Sequence, residues 1–95
     1  MTLRLVITMT AAPGKSDELA ARLRERNAGV LNEPGCEQFE IFKNMQNPDE
    51  LVLLEIWKDQ ASLDAHVEVN KTRPVLPDGL RLARHREDYV YNRVK

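Results

Sequence analysis

Three side chains in the stretch LVLLEIWKDQASLDAH, residues 51–66, have types and spacing suited to chemistry: Glu55, Trp57 and His66. The chain holds one tryptophan and two histidines, so finding a tryptophan and a histidine nine positions apart raises a functional question. Histidine titrates near neutrality and is the natural proton-handling group, which makes His66 a candidate catalytic residue. Trp57 offers an indole face against which an aromatic substrate can pack. On a strand, Glu55 points to the same side as Trp57, since side chains alternate with a period of two. A carboxyl among Leu51, Leu53 and Trp57 is either paired or pushed up in pKa by lost hydration, so Glu55 is placed to orient His66 or to act as a base. The plainer reading makes Trp57 core, His66 a hydrogen-bonded helix residue, and Glu55 the partner of an arginine. Tyr89 and Tyr91 carry phenolic donors that suit a substrate oxygen; as strand tyrosines they also suit a subunit interface. Cys36 is the only cysteine, so neither an intrachain disulfide nor a cysteine-based metal site is available, and a nucleophilic role has little behind it.

These groups need a scaffold, and the pattern around them predicts one. Residues 3–10 (LRLVITMT) alternate and are rich in β-branched types, as a strand should be. Pro13-Gly14 breaks it. Ser16 is placed to cap a helix over residues 16–32, with Asp17 and Glu18 at its positive end and Leu19, Leu23, Val30 and Leu31 near one stripe. Pro34-Gly35 ends that helix. Residues 36–44 read as a second strand, and the NPDE turn joins it to a third over residues 51–58. Asp59 can cap a second helix over residues 60–70, and Pro74, Pro77 and Asp78-Gly79 stop it. Residues 81–94, closing on the alternating run YVYNRV, make the fourth strand. The order is β-α-β-β-α-β, an α+β fold with an antiparallel sheet and both helices on one face.

The third strand is apolar on both sides: Leu51, Leu53 and Trp57 on one, Val52, Leu54 and Ile56 on the other. Strands of that kind are covered on both faces. With helices on only one, the expectation is a homodimer packed sheet against sheet.

Composition narrows the remaining classes. Ninety-five residues with 42% hydrophobic and 31% charged side chains fit one small domain spanning 1–95. A net charge of −1 gives no pull toward nucleic acid or an anionic membrane. Arg81, Arg84, His85 and Arg86 are followed at once by Glu87 and Asp88, which reads as a solvated face. Nothing approaches the roughly 18 apolar residues of a spanning helix, and the first residues lack a signal peptide's basic leader, so the cytoplasm is the expected location. Neither a glycine-rich phosphate loop nor HExxH occurs.

The ordered set PGK, EPGC, NPDE, E-x-W and S-L-x-A-H resembles the antibiotic biosynthesis monooxygenase family, over about residues 3–66, with a Glu87-Asp88-Tyr89 ending found in members described as candidate quinol monooxygenases. The resemblance implies a ferredoxin-like fold in a dimeric α/β barrel. It also implies oxidation of a small aromatic, quinol or polyketide-like substrate by O₂ without a cofactor. In such chemistry the substrate's own carbanion or phenolate reduces oxygen, and the protein supplies an apolar pocket, a proton-handling group and exclusion of water. On this resemblance His66 takes the place of the family's helix histidine, with Glu55 as second catalytic candidate and Trp57 and Tyr89 as substrate contacts. Haem-degrading members use an asparagine on the first strand; residues 3–10 contain none, so haem is not expected. Two other readings share the fold: an isomerase using His66 and Glu55 as a proton-shuttling pair, and a non-catalytic ligand-binding dimer.

Overall fold

The computed structural model describes residues 1–91. Four strands form one antiparallel sheet in the order β2-β3-β1-β4: β1 is Leu3–Ala11, β2 Cys36–Lys43, β3 Glu50–Trp57 and β4 Arg81–Val90. Helices α1 (Ser16–Arg26) and α2 (Gln60–Asn70) cross between them in the expected β-α-β-β-α-β order. The fourth-strand expectation for residues 92–94 lies outside the described residues.

Register decides which side chains face the helices. Leu5 lies opposite Glu55, Ile7 opposite Leu53 and Met9 opposite Leu51, so this alternate set shares one face. That face meets Leu19 and Leu23 of α1 and Leu80, making one apolar cluster. A second cluster at the other end of the sheet joins Leu5, Trp57, Val30 and Leu63 of α2, and Phe39 touches both.

The opposite face is bare. Val6 and Leu54 pair there, as do Thr8 and Val52, beside a Phe42 that is 47% exposed. A sheet with one helical layer is a slab, and the chain is only 18 Å thick along its shortest axis. β4 is exposed along its whole length, because the two helices sit over β1 and β3 and leave this edge uncovered.

Three local expectations change. α1 stops at Arg26 instead of reaching residue 32. The chain turns through Gly29, whose φ of 87° lies in the left-handed region that glycine tolerates, and residues Val30–Asn32 form a short 3-10 turn. The turn keeps Val30 buried but leaves Leu31 59% exposed, so the second half of the apparent stripe is not a stripe. Nor does Ser16 cap α1: it is the first residue inside the helix, and Lys15 at the cap makes no side-chain bond. Asp59 does cap α2, accepting from the Ser62 amide at 2.8 Å and from its hydroxyl at 2.7 Å.

Candidate active site

The strand-corner-helix geometry brings Trp57, Glu55 and His66 together. Trp57 ends β3 facing the helices, and the Asp59 cap starts α2 at once, so His66 on the inner side of α2 returns over the strand end. The imidazole lies 4.6 Å from the indole centre to centre, and its other neighbour is Phe39, edge-on at 5.8 Å. All three candidates are closed off from solvent: Trp57 is 0% exposed, Glu55 3% and His66 4%.

Among the described residues Glu55 has no arginine partner. Its Oε1 accepts from the Trp57 indole N–H at 2.8 Å. Burial pushes its carboxyl up in pKa, outweighing the Trp57 bond and the attraction of His66, Arg86 and Arg84, each of which acts the other way. Arg86 is the obvious ionic partner by charge, but it sits on the edge strand and is taken by Asp88 in a two-pronged pair at 2.7 Å. Over the described residues the arginine expected as a direct partner is therefore replaced by the Trp57 indole, with Arg86 and Arg84 acting on Glu55 only at a distance.

His66 is held by a residue that sequence reasoning missed. Its Nδ1 lies 3.0 Å from Glu33 Oε1, and Glu33 Oε2 accepts from Arg73 at 2.6 Å. Both members of the ion pair are largely buried. A carboxylate only accepts, so in this bond the proton lies on Nδ1. Glu33 is delivered by the turn before β2. Gly35 there has φ of 81°, and any Cβ on it would meet Ser62 Oγ at 2.1 Å, so the turn rests against the first residues of α2. The one available signal was the EPGC motif, where an acidic residue precedes a tight turn.

Tyr89 does not join them. It pairs across the sheet with Arg4, on the bare face, is half exposed, and donates its hydroxyl to Glu87. Arg4 also spans toward Tyr91, with its guanidinium 4.8 Å from that ring. Cys36 is partly buried, and its thiol is pushed up to about 11 by burial and by Glu55 and Glu33. That holds it as an unreactive thiol at neutral pH.

Two open clefts flank the site. A groove of about 720 Å³ runs between α1 and β2, and one of about 520 Å³ lies between the helix ends and β4; Trp57, His66, Glu55 and Tyr89 line neither. Among the described residues, no three of His, Cys, Asp and Glu gather as a metal site. None of the described helices is long and apolar enough to cross a membrane.

The family model for antibiotic biosynthesis monooxygenases matches residues 2–71, most of the chain. The chain belongs to that family. The match covers the first strand through α2, and so includes Glu33, Glu55, Trp57 and His66. Among solved structures, a Pseudomonas aeruginosa protein superposes with a TM-score of 0.78 at 23% identity, covering 97% of this chain and 95% of its own. A candidate antibiotic biosynthesis monooxygenase from Nitrosomonas europaea gives 0.77 at 19% identity, over 93% and 88%. A Bacteroides thetaiotaomicron protein of unknown function, described as a possible oxidoreductase, gives 0.72 at 18% identity, over 93% and 95%. At these identities the likeness carries the ferredoxin-like fold. No curated protein matches the sequence.

Proposed function

We propose that the protein is a cofactor-independent monooxygenase that oxidises a small electron-rich aromatic, quinol or polyketide-like substrate with O₂. The observation that carries this reading is the Glu33–His66 pair: an imidazole fixed through Nδ1 on a carboxylate that Arg73 holds in place. In that arrangement His66 Nε2 accepts a proton from a phenol or an activated CH₂, and Glu33 stabilises the imidazolium that results. The substrate anion then reduces O₂. For a CH₂ that becomes C=O, one oxygen atom enters the product and the other leaves as water with the two hydrogens. Glu55, a carboxyl that keeps its proton to higher pH than an ordinary glutamate, is the neighbouring acid. Trp57 and Phe39 exclude water around the imidazole.

A homodimer through the bare sheet face belongs to the same proposal. Val6, Val52, Leu54 and Phe42 form an apolar strip on it, and a second copy would turn two slabs into a barrel. Sedimentation should give a dimer that Leu54→Glu converts to monomer; an unchanged mass after that substitution would refute the interface.

Oxygen uptake with a panel of hydroquinones and hydroxylated naphthalenes tests the chemistry. Turnover is expected, and His66→Gln should lower kcat while leaving a cooperative melt. No uptake with any member of the panel, or an unchanged rate in that variant, overturns it. Turnover that persists under argon moves the same pair to an isomerase. One observation favours a second reading, a non-catalytic binding dimer: the complete burial of Trp57. That reading wins if His66→Gln lowers the melting temperature and leaves every ligand affinity unchanged.

A further inference from the structure

The cleft of about 520 Å³ beside β4 is lined by three guanidinium groups, Arg26 from α1 and Arg81 and Arg84 from β4. None of the three forms an ion pair among the described residues, although every other close cation-carboxylate contact in this part of the chain is satisfied: Arg73 with Glu33, Arg86 with Asp88. Arg26 spends its hydrogen bonds on neutral oxygens, the Pro74 carbonyl at 3.0 Å and the Asn27 and Asn70 side chains. Among the described residues the Arg81 side chain reaches only the Met9 sulfur, at 3.8 Å. The Arg84 side chain makes no hydrogen bond among the described residues. The one acidic residue on the lining is Asp78. Partial burial lowers the pKa of Arg26 and Arg81, and Arg84 lowers both further by its charge.

Three like charges share this lining with a single carboxylate, Asp78, and Arg84 otherwise feels Glu55 and Asp88 only at a distance. Such an excess of positive charge costs stability, and folds tolerate that where a ligand supplies the missing charge. Arginine presents planar donor pairs that match the oxygens of a phosphate or carboxylate. A volume of 520 Å³ exceeds what a bare phosphate needs and falls in the range of small-molecule sites. We infer that this cleft binds a small phosphorylated organic molecule, its dianionic phosphate held by Arg26, Arg81 and Arg84.

The cleft is not isolated from the buried histidine. Asn70 Oδ1 accepts from Arg26 at 3.4 Å and from Arg73 at 3.2 Å, and Arg73 holds Glu33, which holds His66. A ligand pulling on Arg26 therefore acts on the far end of the chain that positions the imidazole. The binding inference itself does not depend on the oxygenase reading, since it concerns a different set of side chains.

Calorimetry and thermal melts with glycerol 3-phosphate test it, against glycerol and against sodium chloride at equal ionic strength. Saturable binding of one ligand per chain and a rise in melting temperature beyond the salt control are expected. Arg84→Gln should weaken that binding about tenfold or more, the loss of one charge-assisted contact. The same variant should melt higher than wild type without ligand, because it removes one of three clustered positive charges. Lys43→Gln, which breaks a surface pair with Asp17 at the other groove, is the control for general charge effects. No stabilisation beyond the salt control overturns the inference. Equal weakening in Arg84→Gln and Lys43→Gln overturns it as well, because binding would then be nonspecific attraction.

Discussion

Replacing Glu55 by glutamine tests whether the carboxyl is a buried neutral acid or one arm of an ion pair. An ordinary unfolded glutamate titrates at about 4.3. In the folded chain the group sits higher, because burial outweighs the Trp57 hydrogen bond and the attraction of His66, Arg86 and Arg84. Between those two pKa values the folded protein holds a proton that the unfolded chain has lost. Stability contributed by this group therefore falls as pH rises from about 4.3 through the folded pKa, and is level beyond it. Each unit of elevation costs about 1.4 kcal/mol at the plateau, and the slope within the window cannot exceed about 1.4 kcal/mol per pH unit for one proton. Glutamine is isosteric and keeps an oxygen for the Trp57 indole, so Glu55→Gln removes the titration while leaving the packing. Urea unfolding from pH 4 upward, followed by the single tryptophan at a fixed protein concentration, reads both proteins. The difference, wild type minus variant, should drop across the window and then flatten, which leaves Glu55→Gln the relatively more stable protein at neutral pH. A difference that rises with pH would mean that Glu55 is held ionised by an arginine, and the description of the site would fail.

Other perturbations follow from the same contacts. Glu33→Gln leaves Arg73 without its partner and weakens the Nδ1 bond of His66; with both members of the ion pair largely buried, a loss of about 3 kcal/mol is expected in urea unfolding. A loss under about 1 kcal/mol would reduce it to a surface pair. Gly35→Ala forces a side chain into positive φ and against Ser62, and should cost at least about 2 kcal/mol, whereas Gly14→Ala, with open space around it, should cost only the backbone term. Cys36, held up at about 11, should react with iodoacetamide at pH 8 some two orders of magnitude more slowly in the native protein than in the unfolded chain, roughly the ratio of thiolate fractions. Equal rates would show a thiol that burial does not perturb.

The elements were legible where period and punctuation agreed. Alternation placed β1, turn residues and apolar runs placed β2 and β3, and the Asp59 cap placed α2 to the residue, because a cap is a local contact. The end of α1 was not legible: Val30 and Leu31 continued the apolar spacing, and only Gly29's positive φ shows the chain leaving the helix. At the site, the meeting of Trp57 and His66 could be read because a short corner fixes how the helix returns over its strand. Glu33 and Arg73 could not. Their contacts join residues 33 and 40 positions apart, and no local pattern marks which of 15 acidic residues the fold carries inside. Tyr89 went astray for a related reason, since alternation gives the two faces of β4 but not which one looks toward the helices; the pairing with Arg4 decides that.

The run Arg81–Arg86 shows how one basic cluster divides once it is folded. Read along the chain, its charges are answered by the Glu87 and Asp88 that follow; in the fold Arg86 pairs with Asp88, and His85 lies 3.8 Å from Glu87. Arg81, Arg84, Arg86 and Asp88 all fall on the side of the sheet that α1 and α2 share, opposite Ala11, Met9, Ile7 and Leu5. Arg81 and Arg84 differ from Arg86 in lying toward the end of the sheet away from Asp88, whose carboxylate Arg86 takes. There they meet Arg26, and the acidic residues further down β4 are committed elsewhere. This is the same side on which Glu55, Trp57 and His66 lie buried. The helix-facing side of the sheet thus carries two polar groups of opposite design. One is closed, with the Trp57 indole on Glu55 and both His66 and Arg73 on Glu33; the other is open and short of negative charge. Asn70, accepting from both Arg26 and Arg73, is where they touch. Of the two, the open group is the one with charge to spare for a small anion, and an anion drawn to Arg26 acts through Asn70 on the Arg73–Glu33 pair that holds His66.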